Sequence, residues 1–289
     1  MRVVRTVAEV RALRRPRARI GLVPTMGAFH DGHLSLMSRA RKECDVLVVS
    51  LFVNAPQFDE AADLKAYPRD EHRDGALAAQ AGVDVLFVPD HREVYPEGFS
   101  TTVSVGGISE RLEGESRGRA HFDAVATVVC KLLNMVGPDV AYFGAKDAQQ
   151  VLLIQRMVRD LDIPVRVEVC PTVREADGLA LSSRNTRLSA EERERATALH
   201  RALGTAADAV RAGERDAQAV SAAARAELEH AGVQTEYFEL VDTGTLAPVT
   251  RIDEAALALV AARIGETRLI DNQTLFAIPM AESSHHRSH

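Results

Sequence analysis

The chain has 289 residues, of which 46% are hydrophobic, and a net charge of −6 at pH 7. This length and apolar content suit one large or two ordinary domains. The acidic balance excludes the broad basic field of a nucleic-acid-binding protein, and no stretch approaches the ~18 consecutive apolar residues of a membrane span. The three cysteines are scattered beside apolar runs, which predicts free thiols and a cytoplasmic location.

Apolar runs alternate with helical patterns over the first 170 residues. The predicted strands are Ile20–Val23, Val46–Val53, Val83–Val88, Val140–Phe143 and Val165–Cys170. The predicted helices are Leu34–Glu43, Arg69–Ala81, His121–Val136 and Lys146–Leu161. This alternation indicates right-handed βαβ units and a mostly parallel sheet. Ligands of such sheets bind at the carboxyl ends of the strands.

The pattern changes after Val173, where a polar turn leads into an Ala-, Arg- and Glu-rich stretch. Residues 190–230 predict two helices that are split near Gly213. Strands are predicted at Tyr237–Val241, Ala256–Ala262 and Arg268–Ile270. We therefore expect two domains, residues 1–173 and a smaller α+β domain over residues 174–289, with a disordered tail from about residue 282.

The most informative segment is Pro24–His33, which links the first predicted strand to a helix through two glycines. Such a turn aims unpaired backbone N–H groups and the positive end of the helix dipole at one point, which suits a phosphate. His30 and His33 share one face of the first turn and could donate hydrogen bonds to phosphate oxygens, either neutral or charged near pH 7. Two simpler uses stay open, a helix cap and a metal site, although Asp31 points away from the histidine face.

Polar residues also follow two other predicted strands. After the fourth, Lys146 supplies a positive charge for phosphate, Asp147 an acceptor for ribose hydroxyls, and Gln150 faces the same cleft. After the second, the amides of Asn54 and Gln57 would line a ligand pocket. The alternatives are an ordinary helix start in the first case and an ordinary loop in the second.

The loop Leu179–Asn185 carries two hydroxyl groups and a guanidinium fork, which together suit pyrophosphate. It could instead cap the following helix, although Ser189 fits that role better. We predict that residues 178–187 form a mobile lid that reaches phosphate when the C-terminal domain approaches the sheet.

Taken in order, these segments resemble the pantothenate synthetase (pantoate–β-alanine ligase) family, including the H-x-G-H signature of adenylate-forming nucleotidyltransferases. The resemblance covers about residues 3 to 278. It is carried by Pro24–Gly27 with His30 and His33, Val53–Phe58, Tyr67–Arg69, Leu112–Gly114, His121–Phe122, Gly144–Gln150, Pro171–Asn185 and Thr267–Asn272. It implies a Rossmann-like nucleotidyltransferase domain with a parallel sheet, a smaller α+β C-terminal lid domain, and a homodimer.

The resemblance also implies a two-step reaction. Pantoate and ATP give pantoyl adenylate and pyrophosphate with Mg²⁺, and the amine of β-alanine then displaces AMP. The implied ATP-binding residues are Met26, Gly27, His30, His33, Gly144, Lys146, Asp147, Val173, Leu181, Ser182, Ser183 and Arg184. Among these, His30, His33 and Lys146 are implied to be catalytic, with His33 matching a proposed proton donor. Asn54, Gln57 and Gln150 are implied to bind pantoate or β-alanine.

The chain departs from the family pattern at three places. Pro56 is shifted by one position after Asn54, and an extra residue before His121 leaves either Arg117 or Arg119 in the family arginine's place. Arg73 occupies a usually acidic position, so only Asp74 matches as a magnesium ligand. A paralogue that joins a different acid or amine, and a nucleotide-binding protein without ligase activity, remain alternatives.

Overall fold

The computed structural model describes residues 1–13, 17–58 and 61–277; the predicted disordered tail lies outside these ranges. By its internal contacts the chain separates into two compact units. The first contains residues 1–176 and 180–186, and the second contains residues 177–179 and those from 187 onward. None of the helices in the described ranges is long and apolar enough to cross a membrane.

The first unit is built on a parallel sheet of six strands within the described residues. The strands are β1 (Arg2–Val4), β2 (Ile20–Thr25), β3 (Val46–Leu51), β4 (Val85–Phe87), β5 (Val140–Gly144) and β6 (Arg166–Cys170). Its helices are α1 (Val7–Ala12), α2 (Asp31–Glu43), α3 (Ala61–Ala66), α4 (Glu71–Gln80), α5 (His91–Val94), α6 (Glu113–Arg117), α7 (Arg119–Val136) and α8 (Ala148–Asp160). The predicted α/β class and parallel sheet are confirmed.

The strand order is β1-β4-β3-β2-β5-β6. The chain builds outward from β2 through β3 to β4, and then returns to the other side of β2 with β5. Strand order therefore reverses between β2 and β5, which is where a crevice opens in a doubly wound sheet. Val23 and Val49 are fully buried, since both faces of these central strands are covered, as their continuous apolar sequence indicates.

The second unit is a small α+β structure, as the sequence predicts. Its antiparallel strands are β7 (Gln234–Val241), β8 (Ala255–Ile264) and β9 (Thr267–Phe276), in that order, and its helices are α9 (Ala190–Ala196), α10 (Ala198–Arg211) and α11 (Ala217–His230). Leu203, Leu228 and Val260 belong to its core.

Two local differences from the sequence prediction have physical causes. The first predicted helix of the second unit is divided at Thr197, whose hydroxyl donates to the Glu194 carbonyl at 2.7 Å and so competes with the helical backbone pattern. Strand β9 continues to Phe276 through Asp271 and Asn272, polar residues that hid it from a search for apolar runs.

Candidate functional site

The candidate site lies at the reversal of strand order in the first unit. Residues 26–33 follow β2, residues 54–58 follow β3, and residues 145–150 follow β5. Because β2 pairs in parallel with both β3 and β5, the three segments leave the same edge of the sheet. The topology thus brings together most of the residues that the sequence singled out.

The loop after β2 takes an unusual backbone conformation. Gly27 has φ of 90° and Ala28 has φ of 54°, a left-handed pair that turns successive N–H groups toward one point. At that point lies the carboxylate of Asp74, which accepts from Ala28 N at 2.7 Å and from Phe29 N at 2.9 Å. A Cβ at Gly27 would lie 2.9 Å from Asp74 Oδ2, so the loop and the carboxylate fit closely.

The predicted cradle of unpaired backbone amides for phosphate is therefore wrong, because side chains of the protein occupy these donors. Gly27 N donates to Thr25 Oγ1, Ala28 N and Phe29 N donate to Asp74, His30 N donates to His33 Nδ1, and Gly32 N donates to His30 Nδ1. The histidine side chains remain as donors for an anion at this loop.

His30 and His33 form a reciprocal cap at the start of α2. The helix-cap interpretation is therefore correct, and it does not exclude a second role for the two rings. His30 Nδ1 accepts from Gly32 N at 3.1 Å, and His33 Nδ1 accepts from His30 N at 3.4 Å. An accepting Nδ1 carries no proton, which assigns the proton of each neutral ring to Nε2. The ring centroids lie 4.2 Å apart. The pair thus offers two adjacent Nε2–H donors.

The surroundings of both histidines favour the neutral form. The pKa of His33 is lowered to about 3, chiefly by burial and in addition by the neighbouring His30. Burial, together with the charge of Lys146, also lowers the pKa of His30. His33 therefore donates a hydrogen bond near pH 7 as a neutral imidazole, the first of the two forms that the sequence allowed, and the lowered pKa of His30 favours the same form.

Lys146 and Asp147 lie near the histidine pair. The Lys146 charge lowers the pKa of His30, whereas the Asp147 charge acts in the opposite direction on both rings. Lys146 Nζ lies 3.7 Å from Asp147 Oδ1. Gly144 ends β5, and Gln150 is half-buried in the first turn of α8. One ammonium and two imidazole N–H groups thus meet at this edge, which suits a polyphosphate.

Asn54 is a supporting residue rather than an open ligand. It is 1% exposed, and its Nδ2 donates to Ala124 O at 3.2 Å and to Gln57 Oε1 at 3.4 Å. Its Oδ1 accepts from the Tyr95 hydroxyl at 2.7 Å. With its amide engaged in this way, Asn54 does not fit the predicted direct contact with substrate. It holds the side chain of Gln57, which is half-buried.

The structure favours Arg117 over Arg119 as the arginine of this site. His121 Nδ1 lies 2.9 Å from Gln57 O and must donate to it, so Nε2 accepts from Arg117 Nη1 at 3.2 Å. Arg119 instead donates to Ser104 Oγ at 3.0 Å from an exposed position. Arg117 is thereby tied to the Gln57 segment.

The Ser-Ser-Arg loop belongs to the first unit, which contains residues 180–186. Leu181 N donates to Val173 O at 2.9 Å, and buried Asn185 donates to Glu175 Oε1 at 2.7 Å. Ser183 and Arg184 are exposed. Burial raises the pKa of Tyr67, and the charge of Arg184 acts in the opposite direction and lowers it. These contacts lie within the first unit, and the predicted mobile lid over residues 178–187 stays a prediction.

A protein ligand set for magnesium is not found in the part of the chain that the structure describes. No group of three or more His, Cys, Asp or Glu side chains there could hold a metal ion. Asp74, the predicted ligand, is 1% exposed, and both of its oxygens accept backbone N–H groups. Asp74 therefore does not fit a magnesium ligand, and the His30/His33 pair does not fit a metal site.

Sequence reasoning assigned no role to Gln149, although this residue supports the site. It is 4% exposed; its Oε1 accepts from Glu113 N, and its Nε2 donates to Ile108 O and Arg111 O. Tyr95 and Arg73 were also missed as supporting residues. Their roles depend on partners that are distant in sequence, so no local pattern could have revealed them.

The sheet is doubly wound, and an ammonium group, two paired imidazoles and a glutamine lie where its strand order reverses. This combination of fold and site defines an α/β protein that binds an anionic nucleotide. The profile of the family described as pantoate-beta-alanine ligase matches residues 2–274. The chain belongs to this family, and ligase activity in pantothenate biosynthesis follows from that membership.

Individual relatives agree over nearly the full length. A pantothenate synthetase of Cereibacter sphaeroides is 53% identical over 275 residues, 93% of this chain and 98% of that protein. A crystal structure of pantothenate synthetase from Thermus thermophilus has a TM-score of 0.89 at 48% identity, covering 94% of this chain and 99% of its own. The structure of a pantoate-beta-alanine ligase from Francisella tularensis, complexed with beta-gamma ATP and beta-alanine, has a TM-score of 0.78 at 34% identity. The match covers 94% of this chain and 97% of that protein.

Proposed function

We propose that this ligase condenses pantoate with β-alanine at the expense of ATP and forms pantothenate, AMP and pyrophosphate through a pantoyl adenylate. The observation that carries the proposal is the meeting of Lys146, His30 and His33 at the reversal of strand order. ATP and β-alanine are also the ligands named for the Francisella tularensis relative.

In the first step a pantoate carboxylate oxygen attacks the α-phosphorus of ATP, and pyrophosphate leaves. Negative charge grows on the phosphoryl oxygens in the transition state. Lys146 and the Nε2–H groups of His30 and His33 are fixed donors for that charge, and removing one such donor typically costs ~3–4 kcal/mol. Magnesium would be bound by the ATP phosphates, where it would neutralise charge; the described side chains supply no cage for it.

In the second step the β-alanine amine attacks the acyl carbon of the adenylate, and AMP leaves with the bonding electrons. Gln57 and Gln150 would bind the hydroxy acid, because an amide offers both a donor and an acceptor. Asn54 contributes indirectly by holding Gln57. Arg117, tied to the same segment through His121, would attract a substrate carboxylate.

The remaining assignments concern the nucleotide. Asp147 would accept from the ribose hydroxyls, and Val173 would contact the adenine. Met26, Gly27 and Gly144 would let the nucleotide approach the backbone at the strand ends. The loop residues Leu181, Ser182, Ser183 and Arg184 would cover the phosphates, and a change in their order on nucleotide binding is part of the proposal.

The decisive measurement is ATP–pyrophosphate exchange in the absence of β-alanine. We expect exchange that depends on pantoate, because adenylation precedes attack by the amine. Exchange that depends on a different acid and does not occur with pantoate would indicate a paralogous ligase. The absence of exchange with every acid tested would favour a nucleotide-binding role. The homodimer and the cytoplasmic location stay predictions; light scattering of the purified chain tests the former and cell fractionation the latter.

A further inference from the structure

The first turn of α4 holds both backbone polar groups of Phe29, its N–H and its carbonyl, in the loop after β2. Phe29 N donates to Asp74 Oδ1 at 2.9 Å, and Phe29 O accepts from Arg73 Nη2 at 3.1 Å. Asp74 Oδ2 also accepts from Ala28 N at 2.7 Å, and Arg73 Nη1 lies 3.7 Å from Asp74 Oδ1. We call Arg73 and Asp74 the loop clamp.

The loop needs such a clamp because its backbone conformation is unfavourable. Ala28 is not a glycine, yet its φ is 54°, a region in which the Cβ crowds the following carbonyl oxygen. The carboxylate of Asp74 is buried among the N–H groups that this conformation exposes, so a protein anion occupies a backbone nest that could otherwise hold a ligand anion.

The position of Phe29 controls both histidine rings. His30 directly follows Phe29 and caps α2, while the ring of His33 accepts from the backbone N–H of His30. Phe29 itself is 1% exposed, and its ring lies 5.6 Å from that of His33. A shift of the Ala28–Phe29 peptide would therefore move both Nε2–H donors together.

We propose that Arg73 and Asp74 are positioning residues, which fix the backbone of Ala28 and Phe29 so that His30 and His33 present their Nε2–H groups to the ATP phosphates. The inference rests on the function proposed for these histidines. It gives Asp74 the role of an internal counter-anion in place of the predicted magnesium ligand, and it gives Arg73 a role that the sequence alone did not assign.

The test compares three variants by pantoate-dependent ATP–pyrophosphate exchange and by the ¹⁵N spectrum of the histidine rings in the protein without substrates. Asp74→Asn keeps the shape but loses one acceptor, and Arg73→Ala removes the other half of the clamp from an exposed position. Asp139→Asn is the matched control, because Asp139 Oδ2 accepts from Ile20 N at the opposite end of β2.

We expect Asp74→Asn to lower kcat for exchange at least ~10-fold while the KM for pantoate changes less than ~3-fold, since the lost interaction acts on the phosphate donors. Arg73→Ala should give a smaller loss, and Asp139→Asn should match the parent. In the ¹⁵N spectrum of the histidine rings, the parent should show His30 and His33 each as a single Nε2–H tautomer. Only Asp74→Asn should lose this signature, whereas Arg73→Ala and Asp139→Asn should keep it. A variant that is merely less stable would keep both kcat and that signature below its melting temperature.

Folded Asp74→Asn with parental exchange and a parental ring spectrum would overturn the inference. If Asp74→Asn does not fold, the exchange rate of Arg73→Ala decides, and a parental kcat for exchange in that variant would overturn the clamp. Absence of pantoate-dependent exchange in the parent would instead defeat the proposed function, and the ring spectrum would then test the clamp separately.

Discussion

The side-chain oxygen of Gln149 accepts a hydrogen bond from the backbone N–H of Glu113 at 3.1 Å, although the two residues are 36 positions apart. Gln149 also donates to Ile108 O at 2.7 Å and to Arg111 O at 2.8 Å. These bonds enclose Leu112, whose φ of 56° is rare for a leucine. Helix α8, which follows the Lys146 segment, thus anchors the loop that leads through α6 to Arg117.

Gln149→Ala should destabilise the protein by about 3 kcal/mol, because two carbonyls and one N–H lose their partner in a buried place. It should also raise the KM for pantoate, since the loop leading to Arg117 is released. Urea unfolding and exchange kinetics measure the two effects. Gln80→Ala, at an exposed position at the end of α4, is the control that should change neither. Parental stability of Gln149→Ala would contradict the anchoring role.

Tyr95→Phe should raise the KM for pantoate about 3- to 10-fold, because the lost hydroxyl leaves Asn54 Oδ1 unpaired and loosens Gln57. Tyr142→Phe is the matched control. Its hydroxyl donates to Glu43 Oε2 at 2.9 Å, at the end of α2 that is remote from the histidines. Both variants should lose stability, but only Tyr95→Phe should affect pantoate use. Equal KM values for pantoate in the two variants would show that Tyr95 does not support the substrate site.

Lys146→Ala should reduce adenylation at least ~10²-fold, because it removes a charge directed at the transferring phosphate. The same change should raise the pKa of His30, which the Lys146 charge lowers. Exchange kinetics and an NMR titration measure these effects independently. Lys42→Ala, an exposed lysine in α2, serves as the control. Near-parental exchange, or an unchanged His30 titration, would argue against the position assigned to Lys146.

Stability should fall as the pH decreases from about 6.5 toward about 3. The pKa of His33 is lowered from 6.5 to about 3 in the folded chain, chiefly by burial. The unfolded chain therefore takes up a proton in this interval that the folded chain does not, at up to ~1.4 kcal/mol per pH unit. The contribution is fully present above pH 6.5 and is lost as the pH falls.

His33→Gln should lack this part of the pH dependence, which urea unfolding at several pH values would measure in both proteins. Because the carboxyl groups titrate in the same way in both, the difference between the two curves isolates His33. Parallel curves between pH 6.5 and pH 4 would show that His33 is protonated equally easily in the folded and unfolded chains.

The sequence by itself determined the parallel α/β sheet, the smaller α+β unit and the order of the segments at the strand ends. These features are local: a continuous apolar run such as Val46–Val49 indicates a covered strand, and the glycines before His33 indicate a turn into a helix. The α2 helix begins at Asp31 because His30 caps it, which is also a local interaction. The motif order was enough to indicate the family.

Only the tertiary structure decided which polar groups are already engaged. Asp74, 46 positions away from Ala28, takes the amides that looked open to phosphate, and Tyr95 takes the oxygen of Asn54. His121 selects Arg117 over Arg119, and burial keeps His33 neutral. Each outcome depends on partners brought together by packing between distant elements, because a hydrogen-bonding group binds whichever partner the fold delivers and a pKa follows the surroundings that the fold creates.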